Sequence, residues 1–572
     1  MDEIRAMKWW GWGDENTRFD ISNRPELWPY IARKLNIQAE PRHMPPVGLE
    51  SIVLPEQHLD RAFLDCLARQ LGPGRVFDSP KERLTHAFGK SFRDLWRLRH
   101  GVVPYAPDCV VYPESHDEVA AIVAVAVSHG ARLVPFGGGS NIAGCLEPAG
   151  CEGRMVVSVD MRRMSRLLSL DAHSETALFE AGVLGPSLEE QLNRQGFTLG
   201  HFPDSFLFST LGGWVATRSA GMQSDRYGKI EDIVLALKMA TPSGAIETRA
   251  VPKSSNGIDV NHLCMGSEGT LGIITQVLLN VHRMPARKIG LSYLFPDFAS
   301  GVEALRRCHR EGCIPAMARL NDPRKTALSF AYKTAQSPVK QRLGRLIKWG
   351  LANVRRMNLQ QSCLLLAGFE GGAEACRRDC RRAEAIYTRL GACSLGAEPC
   401  RAFHAGKYDF PYLRDFLLDR GILCDVSETA TLWSRIIPLY EASTRSIQTA
   451  LDSESTGGWV GCHVSHTYHA GASLYFTFGF VPREGDELVR YLRVKRAAED
   501  AFVDNGATLS HHHAVGYEHL PWLEKEISPA GLKAIRALKE GLDPSDLMNP
   551  GKFRAGYGWV QWGLPEEPPA DG

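Results

Sequence analysis

The chain has 572 residues, enough for two to four domains, so a single small binding module is excluded. Hydrophobic residues make up 44% and charged residues 23%, a composition typical of globular proteins that excludes a disordered or fibrous chain. The 66 basic and 65 acidic residues nearly cancel, so no overall field favours nucleic acid, and function must come from local sites.

The opening residues predict a helical N-terminal region over 1–104. Aromatic turns at 9–13 (WWGWG) precede helical stretches at 24–36 and 58–72. In the second stretch the apolar residues Leu59, Phe63, Cys66 and Leu67 share one helix face.

Two α+β domains are predicted to follow. From 106, a strand (PDCVVYP), an apolar helix ending at Gly130 and a second strand (RLVPF) form a β-α-β unit. Further strands are expected at 155–159, 177–182, 231–240 and 270–281, which completes a domain over 105–285. A second domain is expected over 286–505, with a strand at 474–480, and a closing segment over 506–572.

Neither a secretory nor a peroxisomal signal is predicted, because the first residues lack an apolar core and the chain closes on PPADG. No run of about 18 apolar residues predicts a membrane span.

The 14 cysteines include no C-x-x-C, and the pair Cys376 and Cys380 lies among arginines that compete with a metal ion for thiolates. We therefore expect a cytoplasmic protein with reduced thiols and no metal.

The strongest local signal is the glycine loop PFGGGSNIAG at 135–144. Three consecutive glycines after a strand allow positive φ and a close backbone approach to a ligand, and their N–H groups can form an anion-binding nest. The spacing excludes both the G-x-G-x-x-G dinucleotide fingerprint and a P-loop. A plain turn remains the alternative interpretation.

Two further segments carry a similar signal. Small and hydroxylated residues are dense over 205–221, where they can lie against a flat aromatic ligand and hydrogen-bond to it. Glycines also surround a strand start in MGSEGTLGIIT at 265–275. Each segment alone is compatible with a structural role, but their order after a β-α-β unit is specific.

These three motifs resemble the FAD-binding domain of the vanillyl-alcohol oxidase (PCMH-type) flavoproteins. Within that group the chain most resembles the alkyldihydroxyacetonephosphate (alkylglycerone-phosphate) synthase family, through motifs outside the flavin domain. They are MKWWGWGDE, RPELW, IPAMARLND (314–322), YDFPYLRDFLLDRG (408–421), TYHAGASLYFTFGF (467–480) and SHHHAVGYEHLPWL (510–523). The resemblance implies an α+β fold with an FAD-binding domain, an α+β cap for the substrate and a C-terminal segment that returns to the flavin.

The resemblance also implies which residues line FAD. They are Pro135, Phe136, Gly137, Gly138, Gly139, Ser140, Asn141, Asp204, Ser205, Phe206, Leu207, Phe208, Ser209, Thr210, Thr217, Arg218, Ser219, Ala220, Glu268, Gly269, Thr270, Leu271, Gly272, Ile273 and Ile274. The end of the glycine loop offers only Ser140 and Asn141, not the histidine or cysteine that tethers flavin in many relatives. We therefore expect non-covalent FAD.

In the resembled family, acyl-dihydroxyacetone phosphate loses its fatty acid and gains a fatty alcohol, which forms the ether bond of ether lipids. The exchange is redox-neutral, with the substrate carbon held as an adduct on the flavin N5. Tyr475 matches the tyrosine that moves the proton, and Arg319 matches an arginine needed for activity. A phenol is a weak base at neutral pH, and we expect His511, His512 and His513 to assist it. Arg414 matches the arginine that holds the substrate, and a guanidinium binds phosphate bidentately.

The sequence also allows a purely structural role for each of these residues. Tyr475 can be an ordinary strand aromatic, and the histidines can be core or surface residues, of which at most two can face one pocket. Arg414 and Arg319 can instead pair with their neighbours Asp415 and Asp322.

Two wider alternatives also remain. Over 333–356 seven basic residues lie beside an apolar stripe, which predicts either a helix at an anionic membrane surface or one packed on the cap.

NPGK at 549–552 also occurs in flavin-dependent dehydrogenases and oxidases of hydroxy acids or alcohols, which are the alternative function. A catalytically dead binding protein would lack the catalytic matches. We further expect a homodimer.

Overall fold

The computed structural model describes residues 7–38, 42–151, 153–335 and 338–553. The opening residues 1–6, the end of the predicted 506–572 segment and the final tripeptide lie outside this part. Within the predicted basic helix, side chains are described at 342, 344, 346 and 349–353, but not at 338–341, 343, 345, 347 or 348.

The N-terminal region packs against both large domains. Its elements are α1 (Leu27–Lys34), α2 (Arg61–Leu71), β1 (Val76–Phe77), α3 (Pro80–Thr85) and α4 (Phe92–Arg99). Asp60, Ser79 and Ser91 cap three of these helices by accepting a backbone N–H three residues later. Phe92 and Leu95 of α4 lie in the main core of the cap, so this region is not an independent unit.

The predicted β-α-β unit opens the second domain. It comprises β2 (Cys109–Val111), α5 (His116–His129), β3 (Arg132–Phe136) and β4 (Val156–Asp160). Strands β2, β4 and β3 are parallel neighbours, and β1 adds an antiparallel edge next to β2. Gly130 ends α5 at φ 70°, a conformation that favours glycine. Strand β3 therefore delivers the chain directly into the glycine loop.

A five-stranded antiparallel sheet completes this domain, in the order β5-β6-β10-β8-β9. Its strands are β5 (Leu167–Asp171), β6 (Thr176–Glu180), β8 (Val234–Thr241), β9 (Gly244–Glu247) and β10 (Ile273–Asn280), while β7 (Phe197–Thr198) pairs with β11 (His282–Arg283). The helices are α6 (Gly185–Asn193), α7 (Leu211–Thr217), α8 (Ser224–Tyr227), α9 (Ile230–Ile233) and α10 (Val260–Cys264).

Two strand predictions in this sheet were wrong at their start, and the strand expected at 270–281 begins only at Ile273. The strand expected at 231–240 begins only at Val234, because residues 230–233 form the helical turn α9. The Asp232 carboxylate accepts the backbone N–H of Lys229 at 2.9 Å, which satisfies one of the free donors at a helix start.

The cap is built on a seven-stranded antiparallel sheet, in the order β15-β12-β14-β13-β17-β18-β16. Its strands are β12 (Arg287–Phe295), β13 (Met317–Asn321), β14 (Cys363–Gly371), β15 (Cys393–Gly396), β16 (Leu423–Leu432), β17 (Ser455–Thr467) and β18 (Gly471–Pro482). Its helices are α11 (Phe298–Arg310), α12 (Pro323–Ala331), α13 (Pro338–Asn353), α14 (Ala373–Arg389), α15 (Glu398–Ala405), α16 (Phe410–Leu418), α17 (Ile436–Glu454) and α18 (Glu487–Asp504). Helices α11, α14, α17 and α18 cover one face and form the largest hydrophobic core.

The C-terminal segment crosses back from the cap to the glycine loop. It contains α19 (Leu523–Leu542), kinked at Ser528. Beyond α19, Leu133 of β3 donates its N–H to the carbonyl of Leu547 and accepts one from Asn549, at 2.9 and 2.8 Å. None of the helices in the described ranges is long and apolar enough to cross a membrane.

Candidate active site

A cavity lies between the glycine-loop domain and the cap, and both contribute to its walls. All seven predicted residues from Pro135 to Asn141 line it, together with a group from the next segment: Asp204, Ser205, Ser209, Thr210, Thr217, Ser219 and Ala220. Glu268, Gly269, Gly272, Ile273 and Ile274 extend the same wall. On the cap side it is lined by Arg319, Arg414, Tyr475, His512 and His513. The structure thus brings most of the predicted site residues to one place.

The glycine loop needs its glycines because its backbone touches the neighbouring segment. A Cβ on Gly138 would lie 1.5 Å from the carbonyl oxygen of Phe208, and one on Gly137 would lie 2.3 Å from Oγ1 of Thr210. Gly139 has φ +68°, which side chains rarely adopt. A bare backbone that ends a strand and lines a cavity fits a diphosphate group, which such N–H groups bind.

Several predicted cofactor residues do not line the cavity but support its wall. Phe206 and Leu271 belong to the core of this domain, and Leu207 and Phe208 pack in neighbouring clusters. The Thr270 hydroxyl donates to the carbonyl of Ser267 at 2.7 Å. Arg218 ends α7 at φ 50° and donates to the carbonyl oxygens of His262 and Met265, away from the cavity.

Glu268 joins the cavity wall to the C-terminal segment. Its buried carboxylate accepts the backbone N–H of Val515 at 2.7 Å and of Gly516 at 2.8 Å, and the thiol of Cys145 donates to it at 3.0 Å. The side chain of Asn549, in the NPGK motif, donates to the backbone carbonyl of Glu268 at 2.6 Å. This motif therefore fastens the C-terminal segment to the cavity wall.

The cap carries its cavity-lining polar residues on one face of its sheet. Along β18, Phe476 and Phe478 lie in the main core, whereas Tyr475 and Thr477 line the cavity, as the alternation of a strand requires. Arg319 on β13 faces the same cavity, and burial lowers its pKa. Its guanidinium lies 5.4 Å from the ring centre of Phe403.

Tyr475 is surrounded by imidazole rings and a buried lysine. The ring centres of His463, His512 and His513 lie 4.9, 6.1 and 5.6 Å from its own. Burial, reinforced by Asp204, raises the pKa of Tyr475 well above its usual value. The phenol is therefore protonated at neutral pH and needs a neighbouring acceptor before it can act as a base.

The three consecutive histidines form a turn around the carboxylate of Glu428. Oε1 of Glu428 accepts the backbone N–H groups of His511 and His512 at 2.9 Å each and of His513 at 3.2 Å. Burial opposes ionisation, but the attraction of His512 outweighs it, so the pKa of Glu428 lies well below its usual value. The turn is held by one buried anion.

The turn sends only two of its rings into the cavity. His512 and His513 line it, whereas His511 points behind them, with Nε2 at 2.5 Å from the hydroxyl of Tyr468. Burial lowers the pKa values of His511 and His513 well below the usual value, so both rings are neutral at neutral pH.

The two arginines do not pair with their acidic neighbours in the described part of the chain. Asp415 accepts instead from Lys8 at 3.0 Å and from the backbone N–H of Trp12 at 2.8 Å. Asp322 accepts the backbone N–H of Lys325 at 2.6 Å. Arg414 donates through Nη1 to the carbonyl of Lys90 at 2.9 Å, and its buried Nε has no hydrogen-bond partner among the described residues.

Several site residues were absent from the sequence prediction. Glu428 and His463 lie in register on either side of Tyr475, across strands β16, β18 and β17. Lys325 of α12 donates to the hydroxyl of Thr477, and its ammonium lies 5.5 Å from the ring centre of Tyr475. Trp12 of the N-terminal region also lines the cavity. Only the WWGWG motif carried a signal in the sequence, since strand register places Glu428 and His463 and the packing of α12 places Lys325.

Comparisons with known proteins agree with this geometry. Residues 107–249 match the family model of the FAD binding domain, and residues 284–553 match that of the C-terminal domain of FAD linked oxidases. An alkyldihydroxyacetonephosphate synthase from Trypanosoma brucei brucei is 38% identical, over 96% of this chain and 93% of its own length.

Solved structures give the same result. A structure of an alkyldihydroxyacetonephosphate synthase matches with a TM-score of 0.84 at 35% identity, covering 96% of this chain and 100% of its own. p-Cresol methylhydroxylase shares the fold alone, with a TM-score of 0.63 at 15% identity over 88% of this chain and 98% of its own. The predicted α+β fold with a vanillyl-alcohol oxidase-type FAD-binding domain is confirmed. The chain belongs to the alkyldihydroxyacetonephosphate synthase family of FAD-dependent enzymes.

Proposed function

We propose that the chain exchanges the acyl group of acyl-dihydroxyacetone phosphate for a fatty alcohol, and so forms the ether bond of ether lipids. The observation that carries this proposal is the shared cavity. Its wall combines the glycine loop with Tyr475, Arg319, Arg414, His512 and His513, the residues that the family resemblance assigns to this reaction.

FAD is bound non-covalently in this proposal. Two cysteines line the cavity, but burial raises the pKa of Cys424 to about 12, and burial together with Glu268 raises that of Cys145 well above its usual value. Neither thiol is ionised at neutral pH, so neither offers a thiolate for attachment. Acid precipitation should leave the yellow flavin in the supernatant; flavin in the pellet would contradict this assignment.

The bound flavin supplies a reversible electron sink at the reacting carbon, so that the exchange needs no external electron acceptor. This chain's own residues position the substrate and move its proton. Tyr475 gives and takes the proton beside the substrate carbonyl, with the neutral rings of His463 and His513 as acceptors within the same cavity. Arg414 binds the phosphate through its guanidinium, whose buried Nε has no hydrogen-bond partner among the described residues.

The alkyl chains have an apolar wall available on the cap side. It is formed by residues of α15 and α16: Phe403, Phe410, Pro411, Leu413 and Leu417. Each CH₂ group of an alkyl chain that this wall removes from water stabilises binding by about 0.8 kcal/mol. Acyl-dihydroxyacetone phosphate and a fatty alcohol are therefore the substrates that we assign to the cavity.

Peripheral membrane contact through residues 333–356 is a further part of the proposal. Helix α13 and the residues after it expose Leu346, Trp349 and Val354 beside the exposed cations Arg342 and Arg355. Aromatic and aliphatic side chains flanked by cations suit an anionic bilayer surface. Flotation with phosphatidylserine vesicles, but not with phosphatidylcholine vesicles, is expected. A cytoplasmic location and a homodimer remain predictions, the latter testable by light scattering.

The central test is spectroscopic and chemical. Anaerobic addition of palmitoyl-dihydroxyacetone phosphate should bleach the flavin band, and subsequent hexadecanol should restore it and release hexadecyl-dihydroxyacetone phosphate without an electron acceptor. If the flavin stays oxidised and no ether forms, the synthase assignment fails. Hydroxy acids and alcohols would then be the substrates to test for a dehydrogenase or oxidase.

A further inference from the structure

The N-terminal residues Lys8 to Gly13 form a tight loop that lies against helix α16, the helix that carries Arg414. We propose that this loop, hereafter the Lys8–Gly13 loop, is a positioning element of the active site: Lys8 holds the carboxylate of Asp415 away from Arg414, which leaves Arg414 free to bind the substrate phosphate. The inference rests on the proposed function and extends it to a segment more than 400 residues from Arg414 in sequence.

The loop is closed on itself and built around Asp415. The backbone N–H of Lys8 donates to the carbonyl of Gly13 at 2.9 Å. Oδ2 of Asp415 accepts both the ammonium of Lys8, at 3.0 Å, and the backbone N–H of Trp12, at 2.8 Å. Lys8 is only 1% exposed and Asp415 only 4%, so water competes little for this ion pair.

Both glycines of the loop are needed for this approach. A Cβ on Gly11 would lie 2.4 Å from Oδ2 of Asp415, and one on Gly13 would lie 2.0 Å from the hydroxyl oxygen of Tyr412. Gly13 also has φ +76°. The WGWG sequence is therefore shaped to receive helix α16, which carries Asp415, Tyr412 and Arg414.

Lys90 connects the Lys8–Gly13 loop, the glycine loop and Arg414. Its buried ammonium donates to the carbonyls of Lys8, at 2.9 Å, and Trp9, at 3.2 Å. Its own carbonyl accepts Nη1 of Arg414, and its backbone N–H donates to the carbonyl of Asn141 at 2.6 Å. Lys90 thus anchors the Lys8–Gly13 loop and orients the guanidinium of Arg414 beside the glycine loop.

The charges explain why Asp415 must be engaged elsewhere. Asp415 directly follows Arg414 on α16, and a carboxylate that turned to this guanidinium would occupy the donors that a phosphate needs. The ammonium of Lys8 contacts this carboxylate, that of Lys90 donates to the carbonyl of Lys8, and the guanidinium of Arg414 donates to the carbonyl of Lys90, so three basic side chains lie close together. Trp12, from the same loop, lines the cavity directly.

Steady-state kinetics of the FAD-loaded full chain test this role. Lys8→Met should raise KM for palmitoyl-dihydroxyacetone phosphate about tenfold or more, with a smaller change in kcat and none in KM for hexadecanol. The double variant Lys8→Met/Asp415→Asn should return this KM to within about threefold of wild type, because it removes the carboxylate that captures Arg414. Lys34→Met, at an exposed lysine of α1, is the matched control.

Two outcomes would overturn the proposal: equal changes in both KM values, or a double variant as impaired as Lys8→Met. If Lys8→Met does not retain flavin, Lys8→Gln replaces it, since the amide can still donate to Asp415 without a charge. An intermediate increase in KM of about threefold is then expected, and an unchanged KM would count against the role.

The failure of the proposed function is distinguishable from the failure of this inference. If wild type forms no ether, inorganic phosphate can be titrated against the flavin absorbance of the same variants. Phosphate should still bind about tenfold more weakly to Lys8→Met than to wild type, with recovery in the double variant. Equal phosphate affinity in all variants would remove Lys8 from the site, whatever reaction the protein catalyses.

Discussion

Tyr475 and Glu428 are directly paired residues on the neighbouring strands β18 and β16, and His463 pairs with Tyr475 from the other side, on β17. Residues directly opposite each other in an antiparallel sheet point to the same face. Phenol, carboxylate and imidazole therefore form one row on the face of the cap that carries the cavity. The turn of His511, His512 and His513 lies over the carboxylate end of this row.

Tyr475→Phe should abolish the exchange reaction while flavin stays bound. The variant keeps the ring that packs beside His463 and His512 and removes only the hydroxyl to which we assign the proton transfer. Loss of a general acid or base costs about 10² to 10⁴ in rate. Ether formation and the flavin spectrum check this together, and a wild-type rate would exclude Tyr475 from the mechanism.

Glu428→Gln should disorder the histidine turn and lower activity without removing FAD. Oε2 of Glu428 also accepts the backbone N–H of His511, at 3.0 Å, so an amide nitrogen at this position would face another donor. A buried donor left without an acceptor costs about 1–3 kcal/mol. The expected result is a lower melting temperature and a loss of activity of about tenfold or more.

Glu526→Gln is the matched control for this change. Glu526 is exposed and accepts the backbone N–H of Leu509 at 3.1 Å, just before the same turn. If Glu428→Gln and Glu526→Gln are equally active, Glu428 does not organise the site.

Arg414→Ala should weaken binding of the phosphate-bearing substrate above all. The cation at the end of the cavity is removed, whereas the apolar wall for the alcohol is kept. KM for palmitoyl-dihydroxyacetone phosphate should rise about tenfold or more, while KM for hexadecanol stays near wild type. Arg401→Ala, at an exposed arginine of α15, is the control. Unchanged affinity in Arg414→Ala would make Arg414 a structural residue.

The stability of the protein should rise with pH through the titration of Lys325. Burial lowers the pKa of Lys325 to about 7, from 10.5 in an exposed chain. Between these values the unfolded chain binds a proton that the folded protein does not, so raising the pH favours the folded state in this window. The cost of burying Lys325 is largest below pH 7 and declines as pH increases towards 10.5.

Lys325→Met should therefore stabilise the protein, and its advantage over wild type should shrink with increasing pH. Each pKa unit corresponds to about 1.4 kcal/mol, so the advantage should narrow by roughly 2 kcal/mol between pH 6.5 and pH 9. Thermal unfolding of both FAD-loaded proteins at the two pH values measures this change. A pH-independent difference, like that expected for the exposed control Lys34→Met, would show that Lys325 is not titrating in this range.

Local sequence signals predicted the parts of the site that are contiguous in the chain. The Gly137–Gly139 run follows β3 as expected, and the alternation of LYFTF places Tyr475 opposite the core phenylalanines. Glu428 and Lys325 carry no such signal. Their roles depend on the register of β16 with β18 and on the packing of α12 against β17, and both are set by contacts between distant parts of the chain.

Gly138→Ala should prevent FAD binding without changing the row formed by Tyr475, Glu428 and His463. A Cβ at Gly138 would lie 1.5 Å from the carbonyl oxygen of Phe208 and 3.1 Å from Cα of Ser209, so the backbone of the cradle must shift. The purified variant should be colourless, or should lose FAD on dilution. Gly350→Ala is the control, since a Cβ there meets nothing within 4 Å and alanine favours helix α13. A Gly138→Ala protein that retains one FAD per chain would show that the diphosphate lies elsewhere in the cavity.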